Sequence, residues 1–436
     1  MHKKIIVWFR RDLRIQDHTA LNKAVAYALQ NGLEVIPLFI FDPDIIADLA
    51  SNDKRVIFIY QAIEHINKQL KAYQSSVLCL HQNVTTAFTH LFQTYDIAAV
   101  FTNEDYEPYA IKRDAKIRAL ATSHGIEFYS FKDQVIFHKD DLLNLSHKPY
   151  LVFTPFKNAW LKKLTETPLK IEELDPKAPF IKESFTSIRK EELRINDTEL
   201  NFPGTTLADE LLYNYEKTRD TPSLDQGTSR LGIHLRFGTI SIRSLVLKCI
   251  QTTENTTFLS ELIWREFFMY ILFHFPNSVQ HSFKPKYDRI PWRNNPDEFE
   301  RWKNGTTGYP LVDAGMRELN STGHMHNRVR MLVASFLCKH LLIDWRWGEA
   351  YFASKLLDYE LSSNVGNWQW ACGSGVDAAP YFRIFNPDTQ LKKFDADLLY
   401  VKKWVKEFQT DLYPSPIVAH KMARERCLST FKEALQ

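Results

Sequence analysis

The sequence predicts two joined architectures: an α/β N-terminal domain on a doubly wound, parallel, five-stranded Rossmann-like sheet, and an all-α C-terminal domain. Three observations carry this. Five short β-rich runs alternate with longer helical patterns up to residue 131, as βαβ units do. From Thr206 onward the apolar pattern is helical, with Pro- and Gly-marked turns near 276, 291, 305, 323 and 373. Between them, 132–200 loses periodicity and carries Lys148-Pro149, Thr154-Pro155, Thr167-Pro168, Asp175-Pro176 and the charged stretch Arg189 to Glu192. Prolines in a polar setting block helix continuation, so this segment reads as a long connection. The expected partition is 1–131, 132–200 and 201–436.

In order, the strand-like runs are Lys4 to Phe9, Glu34 to Phe41, Ser76 to Leu80, Ile97 to Phe101 and Ile126 to Phe131. Helical patterns lie near 18–30, 53–74, 84–95 and 109–124. No GxGxxG follows any strand, so the dinucleotide fingerprint is absent and the α/β domain need not hold a main cofactor.

Composition excludes several classes. The chain has 436 residues, 44% of them apolar and 25% charged, which is a soluble globular balance. Its longest apolar runs, such as Val35 to Phe41, fall far short of the ~20 residues that cross a bilayer, and no signal peptide opens the chain. A cytoplasmic, monomeric protein without membrane association is expected. The five cysteines are scattered and form no CxxC pair, so neither a disulfide framework nor a metal site is suggested. A formal charge of +3 means that any nucleic-acid face must be local. Of the 10 tryptophans only Trp8 and Trp160 precede residue 200, which points to the second half for chemistry.

Four stretches there stand out. In Tyr215 to Leu231, the run Gly227-Thr228-Ser229-Arg230 precedes a helical pattern and offers N–H groups, hydroxyls and a guanidinium to an anion. Read alone, an ordinary helix cap with a solvated Arg is the stronger reading of it. In Glu261 to Phe268, Glu261 and Arg265 are i,i+4 and Trp264 lies on a neighbouring face, a stacking surface beside a cation or a core indole beside a surface ion pair. In the third stretch, Trp302 to Arg346, Asn327, Arg328 and Met331 share one helical turn, so an amide, a cation and a thioether meet one space; Arg330 points elsewhere. The fourth, Asp358 to Trp370 and on to Pro387, packs carboxylates, amides and paired tryptophans densely enough to contact a heteroaromatic ring.

Together these residues resemble the photolyase/cryptochrome family, and within it the class I cyclobutane-dimer photolyases. Val7-Trp8-Phe9-Arg10-Arg11-Asp12-Leu13-Arg14 is similar to the family's opening, and TGYPLVDAGMREL and NRVRMLVASFLCKHLLIDWR are long, specific matches. The resemblance implies a U-shaped FAD in the helical domain. Tyr215, Thr228, Ser229, Arg230 and Leu231 would hold its phosphates; Asp358 and Glu360 would contact ribose and ring; Asn364 would face flavin N5; and Arg330 would pair with Asp358. It further implies that Trp264 and Trp370 wall a cavity for a flipped pyrimidine dimer of DNA, read by Glu261, Asn327 and Met331, with Arg219, Arg265 and Arg328 on flanking phosphates. Trp302, Trp345 and Trp368 match the family's electron-hopping chain from surface to flavin; read alone, they are core packing. The implied reaction is light-driven electron transfer from reduced FAD to the dimer and back, needing no metal, base or nucleophile, with Glu261, Asn364 and the three tryptophans as its working residues.

The chain departs from the pattern at Gly232, where many members carry Ser, and at Glu360, where Asp is commoner. Ala110 follows Tyr106-Glu107-Pro108-Tyr109 where folate-binding relatives carry Glu, which leaves a deazaflavin, a second flavin or no antenna chromophore rather than folate. Asn327 replaces the His of (6-4) photolyases. The remaining rivals are a DASH-type cryptochrome and a blue-light signalling cryptochrome without double-strand repair activity.

Overall fold

The five runs form one all-parallel sheet in the order β3-β2-β1-β4-β5: β1 Lys4–Phe9, β2 Glu34–Phe41, β3 Leu78–His81, β4 Ile97–Asn103 and β5 Glu127–Phe131. The structure is a computed structural model describing residues 3–196 and 200–436. Strand β1 is central, and Ile5, Ile6 and Val7 are wholly buried because helices cover both sheet faces. Ile6 and Trp8 pack with the helices Val84–Thr94 and Pro108–Ser123. Val7 lies in register with Phe101, whose ring meets Tyr27 of the opposite helix, Thr19–Asn31. Each helix starts on a side chain or ring suited to it: His18 and Asn83 accept from helix N–H groups, and Pro108 opens the third helix.

The division into two units does not follow chain order. The first unit takes the chain up to His138 together with Leu164–Thr206 and Arg230–Lys248; the second takes Lys139–Lys163, Leu207–Ser229 and Cys249–Gln436. The expected connection over 132–200 is therefore shared between both units. It also contains a helix, Phe153–Glu166, that the prolines had argued against. Pro155 sits in that helix's first turn, where its missing N–H would have had no intrahelical partner.

In the first unit the motif Arg10 to Arg14 serves a buried polar network. Arg14 and Arg243 both donate to Asp133 (2.7 and 2.9 Å), Arg243 also reaches Asp17 (2.9 Å), and Asp12 accepts from Asn103 at 2.7 Å. The regular elements of the second unit among its described residues are all helices, around a core that includes Trp302, Phe336, Trp345 and Phe352. Two glycines permit close helix approaches there. A Cβ on Gly315 would lie 2.4 Å from Val329, and one on Gly366 would lie 2.2 Å from the Phe268 ring. Gly366 thus lets the helix Leu361–Cys372 lie against Thr257–His274, two elements that line the candidate site.

Candidate active site in the helical unit

Two cavities share the wall formed by Asn327, Met331, Ser363, Asn367 and Trp370. The inner one, about 100 Å³, is also lined by Arg330, Asp358, Glu360, Asn364 and Trp368, over apolar Ala334, Phe352 and Leu356. The outer one, about 310 Å³, is lined by Arg219, Glu261, Trp264 and Arg265. The helix Asn327–Ser335 places Asn327 and Met331 one turn apart on the shared wall. Its first turn is capped by His326, whose Nδ1 accepts from Arg328 N at 3.2 Å. That requires a neutral ring, and burial pushes the His326 pKa down to about 4 despite the nearby Glu318 carboxylate.

Around the inner cavity every ionised group has a partner. Burial opposes ionisation of Asp358, but Arg330, donating at 3.0 and 3.2 Å, overrides it and holds the carboxyl below its ordinary range. Glu360 lies 3.3 Å from Arg265. Asn364 Nδ2 donates twice to one residue, to Glu349 Oε1 at 2.8 Å and to its main-chain oxygen at 3.1 Å. A main-chain carbonyl can only accept, so the amide orientation is fixed and Asn364 Oδ1 is left for the cavity. Burial raises the Glu349 pKa, against the bond from Asn364. Carboxylates, one oriented amide oxygen and flat apolar walls fit a heteroaromatic ring with polar edges.

In the outer cavity Trp264 stacks on Phe153 with ring centroids 3.7 Å apart and planes within 8°, so Phe153–Glu166 backs the indole. Burial raises the Glu261 pKa, and Arg219, donating at 2.7 Å, opposes the rise. Arg328 lines neither cavity; its Nε and Nη2 both donate to Asp220 Oδ1, at 3.1 and 2.6 Å. All three arginines read as phosphate contacts therefore already face a carboxylate of their own unit.

The predicted phosphate run is divided. Tyr215, Thr228 and Ser229 belong to the second unit, while Arg230, in a left-handed conformation at φ 52°, and the buried Leu231 belong to the first. None of the five lines either cavity. Tyr215 meets Phe258 edge-on at 4.9 Å, and Thr218 donates to Gly227 O at 3.0 Å, tying the loop to the helix Asp209–Thr218.

The tryptophan chain needs correction at its outer end. Trp302, Trp345 and Trp368 are 0, 1 and 2% exposed, so none of them is a surface terminus. Trp302 and Trp368 are ring neighbours at 6.1 Å, and Trp368 lines the inner cavity. Burial among Phe299, Tyr351 and Phe352 makes Trp302 an interior member. Sequence reasoning also missed Phe153, Glu349 and Asp220, whose roles arise only from tertiary contacts.

The first unit has its own cavity, about 140 Å³, beyond the carboxyl ends of β1 and β2, lined by Trp8, Arg10, Phe41, Asp42, Tyr109 and Arg113. Parallel sheets offer ligand sites at such ends. Arg10 and Arg113 lie 4.7 and 4.9 Å from the Trp8 ring centroid, and Tyr109 donates to Asp42 at 2.7 Å.

Solved structures give the class first, the photolyase/cryptochrome fold. A class III photolyase from Agrobacterium tumefaciens superposes with TM-score 0.87 at 31% identity, covering 100% of this chain and 98% of that one. A Sulfolobus tokodaii photolyase described with two FAD molecules gives 0.84 at 34%, covering 99% and 100%. A Synechocystis cryptochrome gives 0.87 at 26%, covering 99% of each. In sequence, residues 5–177 match the model described as DNA photolyase, and residues 258–411 the one described as FAD binding domain of DNA photolyase. The deoxyribodipyrimidine photo-lyases of Alkalihalophilus pseudofirmus and Escherichia coli are 34% and 35% identical, each over 98% of this chain and at least 97% of the relative. The chain belongs to the DNA photolyase family. Its helical unit is accordingly an FAD-binding domain, and the ring-binding character of the inner cavity agrees.

Proposed function

We propose that the protein uses light to repair cyclobutane pyrimidine dimers in DNA, as a deoxyribodipyrimidine photo-lyase. The observation that carries this is the shared wall: an open cavity flanked by Trp264 and Trp370 adjoins the inner, ring-binding cavity through Asn327, Met331 and Trp370. Bound reduced FAD supplies the light-absorbing electron donor. Asp358, Glu360 and Asn364 would hold its ring and ribose region, with Tyr215, Thr228, Ser229, Arg230 and Leu231 assigned to the phosphates. Trp264, made rigid by Phe153, and Trp370 would stack on the extruded dimer. Glu261, Asn327 and Met331 would meet its base edges, and Arg219, Arg265 and Arg328 its flanking phosphates. Trp368 and Trp302 would start a hole-conducting path with Trp345, its solvent end lying beyond Trp302 toward the 36% exposed Trp347, which Phe299 joins. The cavity of the first unit would take an antenna chromophore. Its stacked indole and guanidiniums suit a planar flavin or deazaflavin, and Ala110, where folate-binding relatives carry Glu, lines it.

The test is repair under near-UV or blue light, with cyclobutane-dimer and (6-4) substrates side by side, in duplex and in single strands. Splitting of the cyclobutane dimer in the duplex, with its two pyrimidines restored, is expected. No light-dependent restoration with flavin tightly bound would instead favour a signalling cryptochrome, and restoration in single strands only would favour the DASH type. Trp264→Ala should weaken binding of dimer-containing DNA roughly 10- to 100-fold, the scale of one lost base-stacking contact, while flavin content stays unchanged. Loss of flavin from that variant would mean the outer cavity is misassigned.

A further inference from the structure

The rim of the outer cavity holds a carboxylate that the repair chemistry does not use. Asp220 follows Arg219 just beyond the helix Asp209–Thr218 and engages one edge of the Arg328 guanidinium, accepting from Nε at 3.1 Å and from Nη2 at 2.6 Å on a single oxygen. Its side chain is 41% exposed against 21% for Arg328, so the carboxylate is the outer member of the pair. Other contacts also hold Arg328. The guanidinium lies 4.5 Å from the Phe394 ring centroid, its Nη1 contacts Met331 Sδ at 3.8 Å, and its backbone is fixed in the capped first turn of Asn327–Ser335.

Resting on the DNA-repair reading above, we propose that Asp220 occupies the phosphate-binding edge of Arg328 in the free protein and competes there with a DNA phosphate. A carboxylate and a phosphate present the same acceptor chemistry to this edge, and the pair is exposed enough to exchange at small cost. The competition weakens binding of irradiated and intact DNA alike, since either strand must displace the same carboxylate. Its consequence for a repair enzyme is release: once the dimer leaves the indole cavity, only backbone contacts hold the product, and Asp220 is beside Arg328 to reclaim it.

The test measures binding of the flavin-loaded protein to dimer-containing and intact oligonucleotides for wild type, Asp220→Asn and Asp225→Asn. Asp225 lies in the same loop but pairs with Lys403 at 2.8 Å, so its variant removes the same charge without freeing Arg328. Asp220→Asn is expected to tighten both DNAs about 3- to 5-fold, the factor an exposed ion pair represents, and Asp225→Asn to leave both unchanged. Unchanged or weaker binding by Asp220→Asn would overturn the proposal and make Asp220 a residue that positions Arg328. Equal tightening by both variants would overturn it as a net-charge effect. A wild type that fails to prefer dimer-containing DNA would instead sink the reading of the outer cavity itself. Thermal midpoints of the three proteins separate these results from misfolding.

Discussion

The molecule sets the same pair, arginine against carboxylate, in two different surroundings. In the first unit Arg14, Arg243, Asp17 and Asp133 are interior groups: Asp133 is 2% exposed and takes Arg14, Arg243, Thr19 N and Thr19 Oγ1. At the rim of the outer cavity Arg219 with Glu261 and Arg328 with Asp220 keep between a fifth and two fifths of their side chains in solvent. Water decides what each pair is for. Inside, little water can stand in for a lost partner, so the network fixes the segments it joins; at the rim water can replace either partner, and phosphate can replace the carboxylate. Asp133→Ala attacks the interior case and should have the largest effect expected here. It leaves Arg14 with no carboxylate and Arg243 with Asp17 alone in a largely buried site, and urea unfolding should show a loss of about 3 to 5 kcal/mol. A loss below about 1 kcal/mol would mean the interior network behaves like a surface one, and the contrast would fail.

His326 sharpens the comparison with a buried group that stays neutral. It is 5% exposed and caps the helix that carries Asn327, Arg328, Arg330 and Met331. Burial lowers its pKa from 6.5 to about 4. Between those values the unfolded chain takes up a proton that the folded ring refuses, so stability is complete above pH 6.5 and falls as pH drops toward 4. The contribution lost is roughly 3 kcal/mol from this shift. His326→Asn keeps an N-cap acceptor and should flatten that part of the profile in unfolding measured from pH 7 to 4. An unchanged profile would place the acid sensitivity elsewhere.

How much of this was legible in the chain depended on how local the cause is. All five strands and the four long helices up to residue 131 follow from an apolar period within a few positions, whereas the short helix Pro43–Ile46 does not. The helix Phe153–Glu166 does not either, because a proline reads as a breaker unless its first-turn position, which makes Pro155 harmless, is known. The motif TGYPLVDAGMREL is specific for a structural reason: Asp313 accepts from Thr307 N and Oγ1, Gly308 N and the Tyr413 hydroxyl, tying the start of one helix. Asn364 was found through its family position, but the reason its oxygen faces the cavity is Glu349, 15 residues earlier on another helix. Asp220 sits beside a residue that was singled out, yet its partner lies 108 positions away. Nothing in local spacing announces such a contact.

The smallest expected effect closes the contrast from the rim side. If Asp220 and Arg328 are exchangeable, the folded state owes them little, because an exposed pair gains modest Coulomb energy and gives up side-chain freedom to do so. Asp220→Asn should therefore move stability by less than about 1 kcal/mol, in the same urea titration where Asp133→Ala costs several times more. The two measurements must be read together with DNA binding. A variant that leaves unfolding unchanged but tightens DNA shows a charge kept for exchange, whereas one that destabilises the fold as Asp133→Ala does would show that the rim pair is also structural. Burial would then have failed to separate the two regions, although they share one chemistry.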